Sequence, residues 1–169
     1  MPDRRLLDRI QGADGELASP AAAVETRRRK YVVVDLSGAA YAIPAEQVRE
    51  IVIDFSIHYL PFVPPYIRGL VNRHGEAYTA VDLCALLRKE AISGEKTLLV
   101  LNLEDDRLAL LASSVREIVK VEESAVFPIV ETDESQGFLS GSLRLGGEDI
   151  FVVSIEGLRR KMDKDLGTD

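Results

Sequence analysis

The apolar residues of this chain fall in short, dense runs separated by polar turns. Tyr31 to Leu36 and Leu98 to Leu103 are rich in Val and Leu. The first is closed by Ser37-Gly38 and the second by Glu104-Asp105-Asp106, residue types that favour turns. Each run is followed by a second short apolar stretch, Tyr41 to Ile43 and Leu108 to Leu111, at a spacing that predicts a β-hairpin. Pro44 removes a backbone donor and should end the second strand, with Val48 to Val52 beginning a third after a brief turn. Gly69 and Gly75 bracket a fourth strand, and Ala77 to Val81 make a fifth. Two helix starts are predicted, because Asp82 precedes LCALLRKE and Ser154 precedes IEGLRRKMDK, and both residue types cap helix N-termini.

The pattern occurs twice. The pentapeptide VREIV stands at Val48–Val52 and again at Val115–Val119, and sliding the chain by 67 positions matches its surroundings as well. Residues 31–53 then fall on 98–120 without a gap, with nine identities in 23 positions. Residues 66–88 match 138–160 at an offset of 72, which sets Gly69, Gly75 and Glu76 on Gly141, Gly147 and Glu148. The extra five residues belong to a connection between the blocks, where insertions cost little. The chain therefore reads as a duplication, one half over about 31–88 and the other over about 98–160. Five short strands per half imply an all-β protein with few short helices, built as two small barrels or curled sheets packed together. Equivalence of the two copies also implies that Ile51 and Ile118 are buried at corresponding positions of separate barrels.

Composition narrows the class of function. At 169 residues and 46% hydrophobic, the chain can bury a core without help from metals or disulfides. The single cysteine, Cys84, has no partner within the chain. A net charge of −7 opposes nucleic acid and anionic lipid, so neither is an expected partner. MPDRRLLDRI lacks the apolar stretch of a signal peptide, and no later apolar run approaches membrane-spanning length, so a cytoplasmic protein with no direct membrane insertion is expected. Residues 1–29 read as a flexible N-terminal segment; Leu6, Leu7 and Ile10 could make one apolar helix face, and Arg27 to Lys30 read as a solvated edge. Residues 161–169 read as a helix end or tail.

Catalytic chemistry is sparse. His58 and His74 stand at no metal-ligand spacing with another His, Cys or paired carboxylate. Cys84, His74 and Asp82 lie close enough in sequence to be considered as a nucleophile set, but Cys84 fits better as a small buried hydrophobe on a first helical turn and Asp82 as its cap. Neither a phosphate-binding glycine loop nor a nucleophile elbow is present. The expectation is a protein without catalytic residues, bound metal or cofactor.

One segment is more specific. Pro61, Pro64, Ile67, Gly69, Asn72 and Gly75, followed by Val81-Asp82-Leu83, give the order P-x-x-P-x-x-I-x-G-x-x-N-x-x-G and then V-D-L. With YVVVDLSGAAYAIPAEQVREIV before it and GEDIFVVSIEGL at the end of the second half, the chain resembles the CheW-like domain of bacterial chemotaxis proteins over about 30–160. The resemblance implies a single domain of two five-stranded β-barrels. It implies a free-standing scaffold or adaptor that bridges the cytoplasmic tip of a chemoreceptor (methyl-accepting protein) and the regulatory domain of a CheA-type histidine kinase, possessing no catalysis of its own. It also implies recruitment to receptor arrays at the inner membrane. Carried over residue by residue, Val48 and Glu50 take positions on an exposed strand face tied to partner contact, and Arg68, Asn72 and His74 fall in the other segment tied to assembly. This chain has Asn72-Arg73-His74-Gly75 where the family has N-L-R-G, and Thr79 where it has Pro. Those departures leave the pathway output open among flagella, pili, gliding and gene expression. A regulatory module that senses a small molecule in the cleft between the barrels is the alternative reading.

Overall fold

The computed structural model describes residues 25–88, 90–94, 96–130 and 137–168. Residues 1–24, including the apolar trio Leu6, Leu7 and Ile10, lie outside the described residues. The first half supplies β1 (Arg28–Leu36), β2 (Ala39–Pro44), β3 (Val48–Val52), β4 (Ile67–Arg73), β5 (Glu76–Asp82) and α1 (Leu83–Arg88). The second supplies β6 (Thr97–Leu101), β7 (Leu108–Ala112), β8 (Ser114–Glu122), β9 (Val126–Pro128), β10 (Leu139–Leu145), β11 (Glu148–Val153) and α2 (Ile155–Leu166). Pro44 closes β2 and leads into a 3-10 turn at Ala45–Gln47, after which VREIV forms β3.

The strands assemble into two sheets, as the sequence pattern implied, but the halves exchange their first hairpins. One sheet runs β8-β1-β2-β11-β10-β9 and the other β3-β6-β7-β5-β4. The hairpin β1–β2 thus joins the strands of the second half, while β6–β7 joins those of the first. Each exchange is sealed by a parallel pairing, β2 with β11 and β7 with β5. The copies remain symmetric in their irregularities. A bulge separates Ile67 from Gly69 in β4 and Leu139 from Gly141 in β10, the same place in the repeat. The main-chain pairing of Phe127 with Ser142 has its counterpart in an isolated bridge between His58 and Leu70.

Three apolar clusters explain why the hairpin strands are hydrophobic almost without interruption. Val71, Tyr78, Leu98, Val100 and Leu111 fill the inside of the five-stranded sheet, and Val33, Ala42, Leu143, Ile150 and Val152 fill the six-stranded one. Between them lies the largest cluster, with Val32, Val34, Leu36, Leu99, Leu101 and Leu110. Alternate residues of β1, β6 and β7 therefore face two different cores, and both faces must be apolar. Helix α2 completes the central cluster with Ile155, Leu158 and Met162. Its N-terminus is capped as expected, since the Ser154 hydroxyl accepts from the Gly157 amide at 3.1 Å. The Asp82 carboxylate caps α1 by accepting from the Ala85 amide at 3.0 Å, and Cys84 is fully buried.

The expectation for Ile51 and Ile118 is corrected. They are 39% and 59% exposed. Ile51 lies opposite Leu99 and Ile118 opposite Val32, both residues of the central cluster, so each isoleucine points toward that cluster's side. Both, however, sit on edge strands, β3 and β8, where the facing sheet no longer covers them. Their equivalence holds, but it is an equivalence of exposed rims.

Candidate functional surface

Strand β3 forms one edge of the five-stranded sheet and β4 the other, and side chains close the gap between them. Arg73, the last residue of β4, pairs with the Glu50 carboxylate, and His74 Nε2 lies 3.4 Å from the same group. The hydrogen bond from Arg73 is the main reason that Glu50 is held below the usual carboxylate range, with the nearby His74 contributing less. The Arg73 Nε–H is buried and has no acceptor among the described residues. Arg49, an exposed residue of β3, donates to the Tyr78 hydroxyl at 3.4 Å.

His74 is placed by the turn that follows β4. His74 and Gly75 have φ of 53° and 81°, the left-handed pair of a two-residue hairpin turn. Asn72 braces this turn by accepting from the Gly75 amide through Oδ1 at 3.2 Å. The His74 side chain is 79% exposed. The structure thus brings together Glu50, Asn72 and His74.

Val48 and Arg68 stand apart. Val48 is half-buried and packs against the central cluster. A bulge in β3 sets Val48 opposite Leu101 and Glu50 opposite Val100, so Val48 shares the central-cluster side with Ile51, while Glu50 and Val52 lie on the side of the five-stranded sheet's own core. The placement of Val48 and Glu50 on one exposed strand face is corrected accordingly: both are half-buried on an edge strand, the bulge parts them to opposite faces, and Arg49 and Ile51 are the more exposed residues of β3. Arg68 sits at the β4 bulge, 3.9 Å from the fully buried Asp82 carboxylate. Asp82 also accepts from the Ile92 amide at 3.1 Å, so Arg68 belongs to the structure that secures α1.

The imagined set of Cys84, His74 and Asp82 is not assembled. Cys84 Sγ lies 3.4 Å from the Ser37 hydroxyl, Asp82 is occupied with amides, and His74 is with Glu50. Among the described residues there is no group of three or more His, Cys, Asp or Glu able to hold a metal ion. Among the described residues no helix is long and apolar enough to cross a membrane.

Arg73 is not among the residues that the family resemblance singles out. The signal lay in the repeat, because Arg73 and His74 align with Leu145 and Gly146. Glu117, the partner of Glu50, therefore has no equivalent ion pair available, and the charged rim is particular to the first half. Beyond it the chain displays Ile53 at 82%, Tyr59 at 81% and a fully exposed Phe62, whose φ of 59° is uncommon for a bulky residue.

An exposed edge strand, a charged rim in the first half and aromatic side chains facing solvent are features common at protein interaction surfaces. The model of the CheW-like domain family matches residues 30–162. The chain belongs to the CheW-like family. It is therefore a non-catalytic scaffold or adaptor of chemotaxis signalling. The chain is 26% identical over 144 residues to the chemotaxis protein CheW of Treponema pallidum (strain Nichols), an alignment covering 80% of this chain and 85% of that one. The crystal structure of the scaffolding protein TtCheW from Thermoanaerobacter tengcongensis superposes with a TM-score of 0.69 at 23% identity, covering 76% of this chain and 90% of that one. That likeness concerns the fold.

Proposed function

We propose that this CheW-like chain couples the cytoplasmic tip of a chemoreceptor to the regulatory domain of a CheA-type histidine kinase, working in the cytoplasm at receptor arrays. The observation that carries the reading is the asymmetry of the duplication. A chain that needed only two packed sheets could keep its copies alike, yet the Glu50–Arg73–His74 rim exists in the first half alone. Two related but unlike edges give two partners separate places to dock. The interleaved hairpins suit the task, because strands shared between sheets transmit a displacement as a unit.

On this reading Glu50, Asn72 and His74 contact a partner together with Arg49, Ile51 and Arg73. Val48 and Arg68 support that edge from beneath, Val48 through the central core and Arg68 through Asp82. An unbiased pull-down from the source cell tests the assignment. Recovery of a receptor signalling tip and a CheA-type kinase is expected, and reproducible recovery of neither overturns it.

A further inference from the structure

Besides its protein-facing edge the molecule has an open cleft of about 650 Å³ where the chain passes from one sheet to the other. That volume falls within the range of small-molecule sites. Its lining combines apolar side chains from one segment, Ile53, Phe55 and Ile57, with polar ones from two others, Lys96, Thr97 and Ser113. These polar groups have donors to offer. The Ser113 oxygen already accepts from the Ser37 amide at 3.0 Å, which leaves its O–H to donate. Among the described residues Lys96 has no carboxylate within ion-pair distance.

Among the described residues that line this cleft none is acidic, in a chain whose net charge is −7. Two other clefts of the molecule carry carboxylates of their own. One of about 230 Å³ is lined by Glu76, Glu104, Asp105 and Asp106, and one of about 320 Å³ includes Glu123 beside Arg29. A cleft that combines an ammonium and hydroxyl donors with bare hydrocarbon is complementary to an anion with an apolar body. Ile53, 82% exposed at the rim, is the surface such a body would cover.

We propose that this cleft binds a small amphipathic carboxylic acid, its carboxylate on Lys96, Thr97 and Ser113 and its hydrocarbon against Ile53, Phe55 and Ile57. Because Thr97 belongs to β6 and Ser114, also on the lining, to β8, the ligand would touch both sheets at once. It would thereby bias the relation between the two faces that an adaptor presents, by as much as its affinity differs between arrangements.

Octanoate is a suitable probe, with octanol and octylamine as controls of equal chain length. Amide chemical shifts of the isotope-labelled full chain should move saturably with octanoate at residues 53–57, 96–97 and 113–114. Octanol and octylamine should bind at least about tenfold more weakly, since each lacks the charge-assisted hydrogen bonds. Lys96→Gln, a substitution at a half-buried side chain outside the core, should weaken octanoate by about tenfold and leave octanol unchanged. The proposal is overturned if octanoate up to about 10 mM, weaker than most specific recognition, moves none of these amides. It is equally overturned if octanol matches octanoate or Lys96→Gln makes no difference, for the cleft is then only a greasy groove. Shifts at these residues from a receptor-tip peptide but not from octanoate would assign the cleft to a protein partner and overturn it too.

Discussion

Replacing Gly69 by alanine should be among the most damaging single-methyl changes in this protein. An added Cβ would lie 2.1 Å from the His58 carbonyl oxygen and 2.8 Å from its carbon, both of them backbone atoms that cannot rotate away. Relieving the clash means moving the His58 segment off β4. That motion breaks two main-chain bonds, His58 N–H to Leu70 O at 2.7 Å and Leu70 N–H to His58 O at 2.8 Å, each contributing about 1 kcal/mol net. The φ of +140° is a conformation reserved largely for glycine and adds about 1–3 kcal/mol of strain for any other residue. The expected loss is about 3–5 kcal/mol, a large part of the 5–15 kcal/mol typical of a domain. Gly141 occupies the same place in the second half and serves as the internal control. Its Cβ would meet the Phe127 carbonyl oxygen at 2.8 Å with no positive φ, so Gly141→Ala should cost less, about 1–3 kcal/mol. The chain has no tryptophan, so urea unfolding is best followed by far-ultraviolet circular dichroism. A Gly69→Ala variant within about 1 kcal/mol of wild type, or less destabilised than Gly141→Ala, would refute the argument that backbone contact fixes this loop.

Other consequences are open to measurement. Ile51→Ala and Ile118→Ala, at exposed rims, should each cost under about 1 kcal/mol, whereas Leu99→Ala in the central core should cost about 2–5 kcal/mol; comparable losses would mean the rims are covered in solution. Asp82→Ala removes a helix cap and strands the buried Ile92 amide, so a loss of about 2–4 kcal/mol is expected, and a neutral result in urea unfolding would remove Asp82 from that role. Asp165, hydrogen-bonded by Lys161 and by the Tyr66 hydroxyl, is held below its ordinary pKa of 3.8. Its contribution is then fully present above that ordinary value and fades as pH falls through the lower folded one. Thermal midpoints of wild type and Asp165→Asn should therefore differ at neutral pH and converge in strong acid; a gap that widens on acidification contradicts this.

Much of the fold was legible because local chemistry decided it. Pro44, the Ser37-Gly38 and His74-Gly75 turns and the Asp82 and Ser154 caps each settle their element from within a few residues. Pairing between elements was less legible. A repeat says that β1 and β6 are equivalent but not whose strands each joins, and the exchange of hairpins conserves every local signal. Runs such as TLLVL also have no alternation from which to tell the inner core from the central one, since both faces are buried. The same limit explains Ile51 and Ile118. Their apolar character was visible, but exposure followed from edge position, which only the sheet order reveals. At the candidate surface the turn placed Asn72 and His74 beside Glu50, while Arg73 became prominent only once the two halves were compared.

The central claim is that the chain holds a receptor and a kinase together through separate surfaces. Calorimetric titration of a receptor-tip fragment into the chain alone, and into the chain saturated with a CheA-type regulatory domain, tests it most directly. The account predicts one-to-one binding of each partner, with receptor affinity retained or raised in the presence of the kinase domain. It further predicts that Glu50→Lys weakens one of the two interactions while the protein stays folded. Mutually exclusive binding, or full affinity for both partners in the Glu50→Lys protein, would contradict it.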